Sequence, residues 1–364
     1  MAFLLTISES MPGSSARPLP RRDLDHILKH TDGLWEELRG GRLFVTGGTG
    51  FFGRWILESF LWANDSLALG ADAVVLTRAP EAFAAAAPHI AGHAAVTTHR
   101  GDIRSFEFPR DGCTHVLHLA TETTLEGSRL ASFHTAVSGT SRVLEFAAAS
   151  GARKFLLTSS GAVYGEQPPS LERISEEFSG APDPTDAAAG YAHGKRAAEF
   201  LCSVAASESS MEVKIARCFA FVGPLIPLDA NFAIGNFIRD CLERDAIEVA
   251  GDGSPRRSYL YAADLAIWLW TILFRGEVVR PYNVGSEDSL SIRELAELVG
   301  SLLRPGIPVR VANTPTGNSM PARYVPSTSR AATELDLQSS IALSDAIRRT
   351  AEWYSTGPVH ERAP

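Results

Sequence analysis

Tyr191 and Lys195 lie four residues apart in the segment YAHGKRAAE, a spacing that places both side chains on one face of a helix. An ammonium group beside a phenol favours the phenolate and lowers its pKa from a usual value of about 10. Such a phenol can remove a proton from a hydroxyl group or return one to a ketone. Because the same spacing occurs by chance in many helices, the pair indicates acid–base chemistry only together with other segments.

A glycine-rich turn, GGTGFFG at residues 47–53, is the second chemical signal. It follows a predicted strand and opens a predicted helix. Glycines allow the backbone to approach a pyrophosphate closely, and the helix N-terminus supplies N–H donors. A flexible loop, which is the alternative, would not need three glycines in this register. We therefore predict a dinucleotide site that includes Gly47, Gly50, Phe51, Phe52 and Gly53.

The residues after the next strands indicate which dinucleotide binds. An acidic residue about twenty positions beyond the glycine turn normally binds the adenosine ribose of NAD. The second predicted strand ends instead at Thr77 and Arg78, which suit a 2′-phosphate. NADP is therefore favoured over NAD, unless Arg78 is only a solvated loop residue. Asp102, in the segment GDI, is expected near the adenine, and the predicted cofactor-binding residues also include Ile103, Ala120, Tyr191 and Lys195.

Composition and charge argue against several classes of protein. The 364 residues are 45% hydrophobic and 21% charged, as in an ordinary soluble globular protein. The net charge of −8 argues against nucleic acids and membrane surfaces as partners, because these attract basic proteins. The N-terminal MAFLLTISES lacks the basic flank of a secretory signal, and the apolar run 265–274 is about half a bilayer span. We expect a cytoplasmic protein without a membrane anchor.

The cysteines support the same location. Their spacing fits neither a metal site nor a disulfide framework for Cys113, Cys202, Cys218 and Cys241. Reduced thiols in the cytosol are the simplest interpretation. No metal site is predicted.

Short β-branched runs alternate with helical stretches through most of the chain. This alternation predicts an α/β fold, a Rossmann-type doubly wound parallel sheet with helices on both faces. Beyond about residue 222, loops rich in Pro and Gly predict a smaller, irregular C-terminal substrate-binding domain. The predicted strands lie at or within residues 42–48, 73–78, 95–103, 114–121, 154–160 and 213–221, and the segment YNVGS is expected at the edge of the cofactor domain.

Three regions follow from this pattern. Residues 1–40 are predicted to be an N-terminal extension with one amphipathic helix at Asp23–Arg39, packed on the domain surface or on a second subunit. Residues 41–221 are predicted to form the Rossmann domain, which carries the catalytic residues. Residues 222–364 are predicted to be mainly the substrate-binding region, with some segments returning to the Rossmann domain.

Four segments, GGTGFFG, LLTSSGAVYG, YAHGK and GDGSPRRSYLYAADLA, resemble in order and spacing the extended short-chain dehydrogenase/reductase family. The resemblance runs from about Arg42 to Leu337 and implies an enzyme that modifies nucleotide sugars. It implies that Tyr191 is the acid/base, and that Lys195 lowers its pKa and contacts the nicotinamide ribose. Ser160 is implied to hydrogen-bond the reacting sugar oxygen and to stabilise its developing charge. The helix pairing usual in the family implies a homodimer.

Two positions after Ser160 depart from the dehydratases and decarboxylases of that family. The 4,6-dehydratases carry an Asp-Glu pair immediately after this hydroxyl residue, and the decarboxylases keep the glutamate. This chain has Gly161 and Ala162 there, which disfavours dehydration and decarboxylation by that route. A further departure is Ala220, which replaces an asparagine that often contacts the substrate. Hydride and proton movements alone are compatible with epimerisation through a transient ketose or with reduction of a keto sugar.

Two arginines are implied to bind the substrate diphosphate. Arg257 matches a family arginine with this role, and Arg323, in PARYVP, resembles a second one. A guanidinium group suits phosphate oxygens in geometry and charge, although a surface salt bridge is the alternative for each. Thr121 and Glu122 follow the fourth predicted strand at its carboxyl end, where ligands gather, and are candidates for contact with sugar hydroxyls.

The leading hypothesis is therefore an NAD(P)-dependent epimerase of a nucleoside-diphosphate sugar. The alternative is an NADPH-dependent reductase of a nucleotide keto sugar, which the Thr77-Arg78 strand end favours. A dinucleotide-binding protein without turnover is a weaker hypothesis, because such a protein would need none of Ser160, Tyr191 and Lys195. A reductase of non-sugar carbonyls is also weaker, because its substrates carry no diphosphate for the arginines to bind.

Overall fold

The computed structural model describes residues 16–121, 129–230, 232–313 and 321–355. Its strands are β1 (Arg42–Thr46), β2 (Asp72–Thr77), β3 (Val96–Arg100), β4 (His115–His118), β5 (Lys154–Ser160), β6 (Glu212–Cys218), β7 (Phe221–Val222), β8 (Ile247–Val249), β9 (Arg256–Ser258), β10 (Leu260–Tyr261), β11 (Pro281–Val284), β12 (Ser289–Ser291), β13 (Val309–Val311) and β14 (Arg323–Tyr324). Its α-helices are α1 (Arg21–His30), α2 (Phe51–Leu67), α3 (Pro80–Ala86), α4 (Pro88–Ala91), α5 (Arg129–Ala149), α6 (Gly190–Glu208), α7 (Ala233–Glu243), α8 (Ala262–Arg275), α9 (Ile292–Leu303), α10 (Ser329–Leu335) and α11 (Leu343–Ser355).

A parallel sheet of seven strands, in the order β11-β6-β5-β4-β1-β2-β3, forms the centre of the molecule. The chain starts in the middle at β1, runs outward through β2 and β3, and then crosses to β4 on the other side of β1. This is the doubly wound order, and it confirms the predicted Rossmann-type fold. All six predicted strands are present, and β11 places the segment YNVGS at the sheet edge, as predicted.

The sheet strands are buried on both faces because helices cover both sides. β5 is buried at each of its seven positions, and β1 at all but its first residue. Trp55 on α2, together with Trp268 and Trp270 on α8, belongs to the largest apolar cluster. Such near-continuous apolar strands are typical of parallel sheets, and they hold the carboxyl ends of the strands in fixed positions.

The N-terminal segment does not form the single helix predicted over residues 23–39. Helix α1 ends at His30, and a separate 3₁₀ turn follows at Trp35–Leu38. The Thr31 hydroxyl donates to the Ile27 carbonyl at 2.7 Å, and Gly33 has a φ of 73°, which lies in the left-handed region. A hydroxyl that competes for helix carbonyls and a left-handed glycine together end the helix.

This segment is built into the core of the molecule. The buried carboxylate of Asp23 accepts hydrogen bonds from the Tyr261 hydroxyl and the Arg349 guanidinium, both at 2.7 Å. Glu37, after α1, accepts from the buried ammonium group of Lys154 on β5 at 3.0 Å. The segment therefore ties β10, α11 and the amino end of β5 in the central sheet together.

Small strands after residue 220 form the wall opposite the nucleotide-binding turn. β9 pairs with β12 in the antiparallel sense and with β14 in the parallel sense, which sets Tyr324 beside Arg257. β7 pairs with β10, and β8 pairs with β13. Within the described ranges, no helix combines the length and the apolar character needed to span a bilayer.

Candidate active site

A cavity of about 1260 Å³ opens at the carboxyl ends of the central strands. Its walls come from the ends of β1, β2, β4, β5 and β6, the start of α2 and α6, and the small strands. In doubly wound sheets ligands bind at this edge, where the strand order reverses between β1 and β4. The predicted cofactor and catalytic residues meet here, apart from the exceptions described below.

The glycine turn forms one end of the cavity. Gly47 has a φ of 69°, and a Cβ atom there would lie 2.6 Å from the backbone nitrogen of Ala120. A Cβ atom on Gly53 would lie 2.2 Å from the Gly47 carbonyl oxygen, so α2 can pack on the turn only without a side chain. Gly50, Phe51 and the adjoining Phe52 line the cavity, whereas Gly53 acts only through this close packing.

These contacts fit a bound pyrophosphate. A side chain on Gly47 or Gly53 would fill the space that the turn leaves open, and the 17-residue helix α2 begins at Phe51 within the turn. A helix N-terminus presents unpaired N–H groups and the positive end of the helix dipole to an anion. The residues present therefore fit the phosphates of a dinucleotide.

Two arginines lie at the far end of this half of the cavity. Arg78, which is exposed, directly follows β2, and Thr77 and Ile103 line the same region. Arg104 holds Asp102 through its guanidinium at 2.8 and 2.9 Å, which lowers the pKa of the Asp102 carboxyl to about 2. Asp102 is thus a carboxylate that is already paired with Arg104 of its own loop. Arg78 is the arginine of the cavity that directly follows β2.

The three predicted catalytic residues line the same cavity. Tyr191 and Lys195 lie on the first turns of α6, and Ser160 is the last residue of β5. The Lys195 ammonium lies 5.9 Å from the centre of the Tyr191 ring and donates to the Thr158 carbonyl at 2.8 Å. The Ser160 hydroxyl accepts from the backbone N–H of Ala162 at 3.2 Å and so caps the following 3₁₀ turn.

Burial dominates the acid–base properties of this pair. It raises the pKa of Tyr191 above 10, although side-chain hydrogen bonds with Ser160 and Thr121 act in the opposite direction. Burial likewise lowers the pKa of Lys195 to about 8. The lowering of the Tyr191 pKa by Lys195 stays a prediction, and burial of the two groups opposes the charged form of each.

A hydrogen-bond network behind Ser160 connects β5 and α6, the two elements that carry the predicted catalytic residues. Glu199, one turn after Lys195, accepts from the Ser159 hydroxyl at 2.5 Å and from the Arg217 guanidinium at 3.0 and 2.7 Å. Arg217 also donates to the Tyr164 hydroxyl at 2.9 Å. Ser159 therefore has a structural role, as the hydrogen-bonded neighbour of the reactive hydroxyl.

The substrate half of the cavity contains one of the two predicted arginines. Arg257 lines it, with its guanidinium 5.6 Å from the centre of the Tyr324 ring. Arg323 lies on β14 but is not among the lining residues, and its Nε atom is buried without a hydrogen-bond partner. Thr121 lines the cavity next to Tyr191, and Glu122 falls outside the described residues.

Sequence reasoning missed Tyr324. Its ring lies 4.7 Å from that of Phe219, and its hydroxyl lies 3.4 Å from the Ser160 oxygen. The one signal in the sequence is its place directly after Arg323 in PARYVP, a segment in which only the arginine is predicted to bind substrate. The Glu199 and Arg217 network was missed as well, because nothing in the sequence pairs these residues.

Comparisons with known proteins place the chain in a family. The sequence model of the NAD dependent epimerase/dehydratase family matches residues 43–285, two thirds of the chain, and the protein belongs to this family. UDP-glucuronic acid decarboxylase 6 of Arabidopsis thaliana is 28% identical over 84% of this chain and 86% of its own. UDP-glucuronic acid decarboxylase 1 of Danio rerio is 25% identical over 88% of this chain and 74% of its own.

Solved structures share the fold. The dTDP-glucose 4,6-dehydratase of Bacillus anthracis, in complex with NAD, has a TM-score of 0.69 at 20% identity, over 86% of this chain and 96% of its own. UDP-N-acetylglucosamine 4-epimerase of Methanobrevibacter ruminantium has a TM-score of 0.73 at 20% identity, over 86% and 98%. The predicted membership of the extended short-chain dehydrogenase/reductase group is confirmed by the family model, and these structures show that the fold is shared.

Proposed function

We propose that the protein is an NAD(P)-dependent epimerase of a nucleoside-diphosphate sugar, which works through a transient ketone. One observation carries this proposal. Ser160, Tyr191 and Lys195 share a cavity with the glycine turn, while Asp102 is the one carboxylate among the described lining residues and is already paired with Arg104. The groups needed for proton transfer to and from a sugar oxygen lie in this cavity. Among the described lining residues there is no free acid beside Ser160 for the elimination of water or CO₂.

The residues divide the chemistry between them. Tyr191, as phenolate, removes the hydroxyl proton of the sugar, and it returns that proton when the ketone is reduced from the other face. Ser160 donates to the reacting oxygen and stabilises its negative charge. The ammonium group of Lys195 favours the phenolate electrostatically. A dinucleotide held by the glycine turn would supply a reversible hydride acceptor, so that an epimerisation would leave the cofactor in its starting oxidation state.

The charges of the cavity support a nucleoside-diphosphate sugar as substrate. Arg257 presents a guanidinium group to the substrate half, where a diphosphate can accept from it. Thr121 lies beside Tyr191 and offers a hydroxyl to the sugar. We propose NADP as the preferred cofactor because Arg78 follows β2 where NAD-binding proteins of this fold carry an acidic residue.

Decarboxylation is the second candidate, because the decarboxylases named above are similar to this chain over most of its length. Ala162 stands against it, since the family's decarboxylases keep a glutamate there. The reductase alternative receives no support from these comparisons. A role in binding alone is disfavoured by the intact group of Ser160, Tyr191 and Lys195 in one cavity.

We also propose a homodimer formed through α5 and α6. Leu130 on α5 and Phe200 on α6 are 65% and 67% exposed, and both helices pack together along their length. Large apolar side chains on two adjacent helices fit the four-helix pairing usual in the family. The four cysteines are buried free thiols, which supports the proposed cytoplasmic location.

The first experiment identifies the cofactor and the reaction together. The purified protein is denatured to release any bound dinucleotide, and the native protein is incubated with UDP-glucose, UDP-galactose, UDP-N-acetylglucosamine and UDP-glucuronic acid. An isomerised sugar without net change in nicotinamide absorbance supports the epimerase. Release of CO₂ from UDP-glucuronic acid establishes the decarboxylase instead. Steady consumption of added NADPH, when a nucleotide keto sugar is supplied in a separate incubation, establishes the reductase. The Tyr191→Phe variant is the control and should bind cofactor without turnover.

A further inference from the structure

Tyr324 is a second phenol in the catalytic half of the cavity, on a different element from Tyr191. The ring is held between Phe219, at 4.7 Å between ring centres, and the guanidinium of Arg257, at 5.6 Å. Its hydroxyl reaches 3.4 Å from the Ser160 oxygen and 3.5 Å from the Cys218 carbonyl oxygen. Tyr191 lines the same cavity, and its interaction with Ser160 lowers the Tyr191 pKa against the effect of burial, so Ser160 interacts with both tyrosines.

The hydroxyl groups of Tyr324, Ser160 and Tyr191 form a row, and the direction in which they donate hydrogen bonds along this row can reverse. The Tyr324 phenol can donate to the Cys218 carbonyl, which only accepts, and in the contact between Tyr324 and Ser160 either hydroxyl can be the donor. When Tyr191 is a phenolate, Ser160 donates to it and Tyr324 donates to Ser160. The change requires two hydroxyl rotations and no covalent step. Burial raises the pKa of Tyr324, so this phenol keeps the proton that it must donate.

The same phenol occupies the space next to residue 161. A Cβ atom on Gly161 would lie 2.8 Å from the Tyr324 hydroxyl oxygen and 2.7 Å from two ring atoms of Phe219. A side chain at this position and the phenol therefore exclude each other. The glycine is what allows the Tyr324 hydroxyl to approach Ser160.

We propose that Tyr324 is a positioning residue that orients the Ser160 hydroxyl, so that its single proton is donated first to the Tyr191 phenolate and then, once the sugar hydroxyl has lost its proton, to the reacting sugar oxygen. This inference rests on the proposed acid–base function of the site. It adds Tyr324 to the proposed site as a residue that affects the reaction through Ser160. The other groups that face Tyr191 are Lys195 on its own helix, Thr121 after β4 and Cys218 on β6.

The test measures the pKa of Tyr191 directly, without turnover. The chain has seven tyrosines, so the tyrosinate absorbance of the NAD⁺-loaded protein, minus that of Tyr191→Phe, isolates this one phenol. Removing one hydrogen bond from the row by Tyr324→Phe should raise the pKa of Tyr191 by roughly one unit, equivalent to about tenfold less phenolate below that pKa. With any UDP sugar that turns over, kcat should fall about tenfold while KM stays nearly constant.

Matched variants separate positioning from a general effect on structure. Tyr282→Phe removes another buried phenol, one that donates to Glu334 outside the cavity, and should leave the Tyr191 pKa unchanged. In a Ser160→Ala background, Tyr324→Phe should produce no further shift, because the link is already broken. Gly161→Ala should reproduce the shift by displacing the phenol.

The outcomes are distinguishable. An unchanged Tyr191 pKa in Tyr324→Phe overturns this inference, and so does an equal shift in Tyr282→Phe or in the Ser160→Ala background. Full activity of Tyr191→Phe overturns the proposed function instead, whatever the titrations give.

Discussion

The charge network behind Ser160 should contribute measurably to the free energy of unfolding. Glu199 and Arg217 are only 13% and 15% exposed, and the guanidinium meets the carboxylate at 3.0 and 2.7 Å. In Glu199→Gln, one amide oxygen must accept all the hydrogen bonds from Ser159 and Arg217 that the two carboxylate oxygens accept in the wild type. The amide N–H groups, which cannot accept, would face the Arg217 cation. The Arg217 charge is left without its counter-ion in a poorly hydrated place.

Removing one partner of a fully buried ion pair costs about 3–5 kcal/mol. Because both groups here keep some exposure, we expect a loss of about 2–4 kcal/mol in the free energy of unfolding. For a chain of 364 residues this corresponds to a melting temperature roughly 3–5 °C lower. The measurement is thermal unfolding by calorimetry near neutral pH, with urea unfolding as a second probe.

Two variants control this prediction. Glu208→Gln changes an exposed carboxylate on the same helix and should move the melting temperature by less than about 1 °C. The double variant Glu199→Gln/Arg217→Met removes the unpaired cation and should recover part of the loss. The reasoning is refuted if Glu199→Gln is as stable as Glu208→Gln, or if the double variant is no more stable than the single one.

Three further predictions concern the cavity. Lys195→Met should abolish turnover yet stabilise the protein near neutral pH by about 2–3 kcal/mol, because burial lowers the Lys195 pKa to about 8. Lys195 binds its proton more tightly in the unfolded chain than in the folded protein. The difference in unfolding free energy between Lys195→Met and the wild type should therefore shrink as pH rises from about 8 toward 10.5, measured by urea unfolding. Gly53→Ala should abolish dinucleotide binding in calorimetric titrations, because its Cβ atom would meet the Gly47 carbonyl at 2.2 Å. Arg78→Ala should weaken NADPH binding roughly tenfold or more and NADH binding much less, by fluorescence titration.

Each of these predictions has a contrary outcome. A constant stability difference between Lys195→Met and the wild type from pH 7 to pH 10 would show that the lysine carries no burial penalty. Normal dinucleotide affinity in Gly53→Ala would show that α2 does not need this close contact. Equal losses for NADPH and NADH in Arg78→Ala would remove the case for a 2′-phosphate contact.

Sequence reasoning reached the features that are local in the chain. The glycine turn carries its strand, its helix and its ligand geometry within seven residues, and Tyr191 and Lys195 are neighbours on one helical turn. Alternating strands and helices determined the doubly wound sheet for the same reason. Motifs of this kind specify position and chemistry together, so the structure confirmed the fold.

The features that reasoning missed connect distant parts of the chain. Tyr324 and Ser160 are separated by 164 positions, and Asn283 accepts from the Tyr164 hydroxyl across 119. No periodicity or spacing pairs such residues, and only packing brings them together. The break after α1 was missed for a different reason, since the apolar pattern continues through Thr31 and Gly33 although the backbone turns away there.

The contacts of the N-terminal segment also have a consequence for how the chain folds. Arg17 donates to the Trp353 carbonyl at 3.1 Å, Arg22 pairs with Glu352 at 2.8 Å, and Asp23 is paired with Arg349. These contacts join residues 326 to 336 positions apart in the sequence. Because closing so long a loop is entropically costly, we expect the central sheet to form before these two segments meet. Contact between the segments is thus expected to be a closing step of assembly, and removing either segment would expose the residues of the other.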